Sequence, residues 1–386
     1  MKPTTLSVLL LSGAWLAACQ SGTTTNETTA TTAADSTATA AAPAADTMGV
    51  PAGTIPTVGN PQLLFTLPNE HNTPDGLALS PDGRTLLLSV PNLANNSYPA
   101  TILEITGNSY KPFATNLPVE PTTKKAAPMD LAYGPDGNVY YAENQYENSK
   151  KYVSRLMRIN MKNGRPGTIE TAVDSFRLAN GIVWKGNTLY VTDSQWDMPD
   201  NDKGSAVMMF TLNELKKGLI HLKPKTKDPH VLAMFTTTVN ETGVDNGADG
   251  IDYDSQGNLY TGSFGDGTFY KMTLKPDGTL AQQEALPLKG DKITCIDGFI
   301  IDRKTDKAYI TGARQNAIFV IDLKTNNVTT LAQNPDTDGA GGKIDQPAEV
   351  LLKGNRLYIS NYDNPVKHFV NTKSDAPHTE SYIDLP

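Results

Sequence analysis

Asp75, Asn180, Asp249 and Asp297 each open a phrase that recurs along the chain at intervals of roughly fifty residues. In two further copies the acidic residue is displaced by one, as Asp130 behind Met129 and Glu349 behind Ala348. If these positions converge, they gather carboxylates and one amide with no Cys or His among them. Carboxylates held close in a partly desolvated space raise one another's pKa or bind a cation. An oxygen-only ligand set selects a hard cation, and Ca²⁺ accepts about six to eight oxygens with loose geometry. Calcium is therefore the expected occupant, with another divalent cation as the alternative. Asp before Gly is also turn chemistry, as at Asp82–Gly83, and for Asp75 alone that explanation stays open. Asn180 and Asp249 are less open to it, because each precedes its strand at the same register and a separate turn follows downstream.

The elements that must position these residues repeat with them. The copies read PDGLALSPDGRTLLLSV from Pro74, PMDLAYGPDGNVYYAEN from Pro128, ANGIVWKGNTLYVTDS from Ala179, ADGIDYDSQGNLYTGSF from Ala248, IDGFIIDRKTDKAYITG from Ile296 and PAEVLLKGNRLYISNYD from Pro347. Within each copy the apolar residues alternate, as in Leu77 and Leu79 or Ile182 and Trp184, which suits strands with one face buried. Pro-Asp-Gly at Pro81, Pro135 and Pro276 and Lys-Gly-Asn at Lys185 and Lys353 mark the turns. A period of this length is that of a propeller blade, so the chain is expected to be all-β, a six-bladed β-propeller of four-stranded antiparallel blades. A β-sandwich does not repeat a whole four-strand unit. Ring closure calls for one end of the chain to lend a strand to the blade built by the other, and QLLFTL from Gln62 and SYIDLP from Ser381 are the candidates. The longer step between the third and fourth copies holds an insertion. Its TLNELKKGL is the one helical segment expected, with Thr211 as N-cap and Gly218 as the stop.

The segments ANGIVW with LYVTDS, and GADGIDYDSQGNLY, resemble the third- and fourth-blade motifs of the regucalcin/gluconolactonase family of six-bladed propellers. GADGIDYD is also similar to diisopropylfluorophosphatase. The resemblance implies a divalent metal at the channel mouth, held by Asn180 and Asp249, with Asp75 serving where the family has a longer Glu. It makes Asp249 the catalytic candidate. In the second blade Met129 stands where the family has an Asn, followed by Asp130 as a further metal candidate, and Ala127 stands where its sugar lactonases carry an Arg. Without that guanidinium, a less polar lactone or ester is the expected small-molecule substrate. The expected activity is calcium-dependent hydrolysis of such a substrate. A non-catalytic metal-stabilised binding propeller and a strictosidine-synthase-like propeller are the alternatives.

Residues 1–19 carry one lysine, an apolar run and LAAC from Leu16, the form of a bacterial lipoprotein signal cleaved before a lipidated Cys19. Residues 20–59 are rich in Thr, Ala and Ser and are read as a flexible tether, followed by the propeller over 60–386. The expected location is the bacterial cell envelope, lipid-anchored in the outer membrane and facing the periplasm. A net charge of −8 without Lys/Arg clusters argues against nucleic acid, so membrane contact is expected through the anchor alone. With two cysteines in all and Cys19 assigned to lipid, Cys295 has no partner and is expected to be a small core residue beside the axis.

Other chemistry-bearing residues are subsidiary. His71 is close to an axial motif and is a candidate proton shuttle, although a solvated loop histidine is the favoured reading. Trp196, after the third-blade strand, is a candidate for shaping the channel mouth, and Met129, Asp297 and Glu349 are candidate pocket residues. NPDTDGAGGKID from Asn334 spaces its oxygens like a calcium loop. Strand-like flanks and a final Asp favour a Gly-rich connection there instead.

Overall fold

A computed structural model describes residues 55–198, 201–239 and 242–386. The proposed signal peptide, the lipidation site Cys19 and nearly all of the tether lie outside them. Among the described residues the strands form six sheets, each with a four-stranded antiparallel core, and helices are almost absent. This is a six-bladed β-propeller.

The innermost strands are Leu77–Leu79, Pro128–Tyr133, Ala179–Lys185, Ala248–Tyr253, Phe299–Asp302 and Pro347–Lys353. Each neighbours the next, and the sixth returns to the first. From each, the chain steps outward through hairpins, because two-residue turns can join only antiparallel neighbours. The sixth blade is closed as the sequence predicts. Gln62–Leu67 pairs antiparallel with His378–Asp384, so the last blade takes its outer strand from the start of the domain. Just before it, Val58, near the end of the expected tether, exchanges two backbone hydrogen bonds with Gln333 of the fifth blade, at 2.9 and 3.0 Å.

Packing follows from the alternation. One set of buried apolar residues, including Tyr140, Phe176, Trp196 and Phe210, joins the second and third blades, and comparable sets fill the other blade interfaces. No blade buries its faces alone, so stability is shared between neighbours. Truncating a fully buried ring such as Phe210 is expected to cost about 3–5 kcal/mol. The insertion contains a short helix, Leu212–Leu215, capped by Thr211 in a reciprocal arrangement with Glu214. It then sends Ile220–His221 back to pair in parallel with the outer strand of the second blade.

Candidate active site at the channel mouth

The innermost strands are irregular where the chemistry lies. Pairing with the second strand slips at Ala179/Ile182, Ala248/Ile251, Pro128/Leu131 and Pro347/Val350. These β-bulges fall on Asn180–Gly181, Asp249–Gly250, Met129–Asp130 and Ala348–Glu349, and a bulge re-aims side chains while breaking the ladder. Hydroxyls of the second strands repair the breaks. Thr192 Oγ1 accepts from Gly181 N at 2.8 Å and donates to Asp249 O of the next blade at 2.6 Å. Ser360 Oγ accepts from Glu349 N at 3.0 Å and donates to Asp75 O at 2.5 Å, and Thr311 Oγ1 reaches Ala348 O at 2.8 Å. Glycine lets the strands approach this closely. A Cβ on Gly181 would stand 2.5 Å from Asp249 O. The second blade departs from the pattern, with Ala142 in place of the hydroxyl.

A cavity of about 320 Å³ opens at this end of the inner strands, and Asp75, Met129, Asn180, Asp249 and Asp297 all line it. Asn180 Nδ2 donates to Asp249 Oδ1 at 2.5 Å, joining the third and fourth blades. Burial pushes the Asp249 carboxyl up to about 8, with the Asp130 charge adding to the rise and the Asn180 hydrogen bond opposing it. Asp75 and Asp297 are raised well above the usual carboxylate range, first by burial and then by the charge of Asp249. Among the described residues no Lys or Arg forms an ion pair with Asp75, Asp249 or Asp297. A buried, oxygen-only set without its own cation has the donor chemistry for a hard metal ion, with Asp75, Asp249, Asp297 and the Asn180 amide oxygen as available donors, although the three carboxylates do not each bring an oxygen within 4.8 Å of the others.

Not every expected residue joins this set. Asp130 and Glu349, one step further along their strands, line a separate cavity of about 380 Å³ at the other end of the inner strands. Asp130 spends both oxygens on backbone, accepting from Leu131 N at 2.7 Å and from Ile182 N of the next blade at 2.8 Å, and burial lifts it to about 7. Glu349 Oε1 accepts from Val350 N at 2.8 Å. Trp196 does not shape the mouth: it is fully buried, edge-on to Tyr152 at 5.7 Å, because the loop after its strand turns the indole inward. His71 also lies apart from the cavity lining. It ends a short 3₁₀ turn, half-buried and edge-on to Tyr110 at 5.9 Å, and burial lowers its pKa. Cys295 is buried beside Ala313 and Phe369, as expected, and burial raises its thiol pKa well above the ordinary value.

Residues 92–314 match the SMP-30/Gluconolactonase/LRE-like region family. The chain belongs to that family. Among solved structures it is similar to a luciferin-regenerating enzyme, with 12% identity, 84% of this chain and 94% of that one covered, and a TM-score of 0.53. A PQQ-bound aldose sugar dehydrogenase from Streptomyces coelicolor aligns at 15% identity over 85% of this chain and 98% of that one, with a TM-score of 0.51. A gluconolactonase from Xanthomonas campestris aligns at 13% identity over 87% of this chain and 99% of that one, with a TM-score of 0.48. At these identities the likeness is one of fold. No curated protein matches the chain in sequence.

This member of the SMP-30/gluconolactonase family builds its mouth from more than the axial positions. Asn144, Phe264 and Tyr362 follow the second strands of three blades and line the cavity, a recurrence visible in the repeat once the axial end is known. Burial holds the Tyr362 phenol neutral well beyond its ordinary range. Val366 and Phe369 add apolar wall from the long connection in the sixth blade. Lys150, which no repeat position marks, also lines the cavity, with its ammonium 3.5 Å from the centre of the Tyr146 ring.

Proposed function

We propose that this protein is a calcium-dependent hydrolase of a lactone or a related ester, acting at the mouth lined by Asp75, Asn180 and Asp249. The observation that carries this is the Asn180–Asp249 contact inside a buried acidic mouth that has no ion-paired cation of its own. Family membership supports hydrolysis over mere fold likeness. Calcium bound by Asp75, Asn180 and Asp249 would supply a Lewis-acid contact for a carbonyl oxygen and compensate charge developing on it. Asp249 is the group to take a proton from the attacking water, and Asn180 fixes the direction in which its carboxylate points. Phe264, Phe369 and Val366 favour a substrate with an apolar portion, since the mouth lining contains no arginine to clamp a polyhydroxy acid. Lys150 offers the carboxylate product a cation at the rim.

A panel of lactones, aryl esters and phosphotriesters assayed in calcium and in EDTA tests the proposal. Calcium-dependent turnover lost in Asp249→Ala is expected. Calcium binding without turnover on any class would select a binding propeller, the alternative that Asp75, shorter than the family's Glu, favours. We further propose, from the leader LAAC alone, that Cys19 carries lipid and holds the protein at the cell envelope. Release of Cys19→Ala into the soluble fraction is expected, and a soluble wild-type protein would refute the anchor.

A further inference from the structure

Away from the axis, Asp345, Asp363 and Asp375 each offer a carboxylate oxygen within 4.8 Å of the others, the only such triad of acidic, His or Cys groups among the described residues. Asp345 is 1% exposed, and its Oδ1 has no hydrogen-bond partner. Asp375 Oδ1 is likewise buried and unpartnered. An independent observation points the same way. Asn371 is fully buried and donates Nδ2 to Asp363 Oδ1 at 2.9 Å, while its own amide oxygen is left without a partner. A buried acceptor without a donor costs free energy that a ligand restores.

We propose that Asp345, Asp363 and Asp375 form a calcium site separate from the axis, with the Asn371 amide oxygen as a neutral fourth donor, which latches the closure of the ring.

The placement explains the function. Asp345 lies just before the innermost strand of the sixth blade, Asp363 just after its second strand Arg356–Asn361, and Asp375 just before His378–Asp384, which holds the N-terminal strand. One ion therefore ties the lead-in to the sixth blade to both ends of the long connection between its second strand and the strand on which closure depends. The loop before Asp345 also rests on the N-terminal strand, where a Cβ on Gly342 would stand 2.0 Å from Leu63 N. Nearby cations do not neutralise the cluster. Lys373 Nζ is 2.5 Å from Asp375 Oδ2 but is mostly exposed, and His378 Nδ1 stands 3.6 Å from Asp363 Oδ2 without a hydrogen bond. Burial, and then the charges of Asp363, Asp375, Asp336 and Asp338, push the Asp345 carboxyl up to about 9. Three anionic oxygen donors select a hard cation, and calcium tolerates their irregular spacing better than magnesium, which demands near-octahedral geometry.

The segment from Asn334 to Asp345 is the Gly-rich connection favoured from the sequence rather than a calcium loop. Asn334 Oδ1 accepts from Ile344 N, Asp336 binds Thr372, and Asp338 accepts from Ala340 N, so only Asp345 of that segment serves. Its companions come from a connection that follows later in the chain.

The test is calcium titration calorimetry on EDTA-stripped full-length protein, with thermal melts and hydrogen exchange on the same samples. Wild type is expected to bind one more equivalent than Asp345→Asn or Asp375→Asn, and the same loss is expected in an Asp249→Asn background, which separates this site from the axial one. In EDTA, Asp345→Asn should melt at or above wild type, because an acidic group buried among other carboxylates is replaced by a neutral amide, whereas calcium should raise the wild type further. Calcium should also protect the amides of Gln62–Leu67 and His378–Asp384 in wild type and not in Asp375→Asn. If Asp345→Asn does not fold, Asp375→Asn carries the test from a less buried position. Equal stoichiometry in wild type and variants would overturn the site, and binding of zinc or magnesium in place of calcium would overturn its assignment.

Discussion

The axial mouth and the closing blade both hold buried carboxylates without adequate cations, yet they are assembled in opposite ways. The axial set draws one residue from each of several blades at equivalent positions, so its geometry depends on how blades stack. The closing-blade set draws one residue from the lead-in to the sixth blade and two from a single connection within it, which brings their oxygens within 4.8 Å. The axial set is open to a cavity of about 320 Å³ that a small substrate can enter. Asp345, Asp363 and Asp375 do not line that cavity. An acidic cluster that opens onto a cavity suits chemistry, and one that ties chain segments suits stability.

The largest expected effect separates the two on this basis. Asp249→Ala should lower kcat/KM by about 10²–10⁴-fold, the range for removing a general base, with Asn180→Ala acting in the same direction. Steady-state kinetics in saturating calcium measures it. If Asp375→Asn lost as much activity under those conditions, the two clusters would not be functionally distinct.

A third buried carboxylate serves as the control. Glu143 is fully buried but carries its own cation, since Arg155 donates Nε to one oxygen and Nη2 to the other at 2.6 Å. Arg155→Ala leaves that charge unpaired and should cost about 3–5 kcal/mol, in calcium and in EDTA alike, by urea unfolding. A cost below about 1 kcal/mol would show that buried charge is cheap in this fold, and the case for cations at both clusters would lose its physical basis.

The same contrast explains what was legible in the chain. Repetition exposed the propeller, the closure of Gln62–Leu67 on His378–Asp384, and the axial residues Asp75, Asn180, Asp249 and Asp297, because equivalent positions of a repeat must occupy equivalent places. The hydroxyls Ser89, Thr192, Thr261, Thr311 and Ser360 recur just as regularly. Their role depends on the bulges they repair, and a bulge leaves no mark in the alternation. Bulging also explains Asp130 and Glu349, whose single-residue displacement turns them from the mouth toward the cavity on the far side of the inner strands. Trp196 was not placeable, since distance from a strand end does not say which way a loop turns. Asp363 and Asp375 lie in a connection with no counterpart in other blades, so no period brings them to Asp345.

A smaller effect probes the dependence of the axial site on blade stacking. Gly181→Ala places a methyl against Asp249 O, where only movement between the third and fourth blades relieves the clash. A loss of about 1–3 kcal/mol is expected, together with weaker axial calcium binding by calorimetry. The closing-blade equivalent should bind as before. Parallel losses at both sites would mean that the ring responds as one unit, and the distinction between stacking and local geometry would fail.

The smallest effect concerns Glu380, on the strand that closes the ring, which is fully buried with neither carboxylate oxygen partnered. Burial alone raises its pKa well above the ordinary glutamate value. The folded protein therefore holds a proton that the unfolded chain releases once pH passes about 4.3. Stability from this group is fully present below that pH and declines as pH rises toward the folded pKa, by up to about 1.4 kcal/mol per pH unit. Glu380→Gln removes the slope, so the stability of the variant relative to wild type should climb from pH 4 upward in EDTA, apart from a pH-independent offset. Urea unfolding at successive pH values measures this difference. Because no other charge contributes to the shift of Glu380, its slope should be unchanged by calcium. A slope that vanished on adding calcium would instead tie Glu380 electrostatically to the Asp345 cluster and extend the latch along the closing strand.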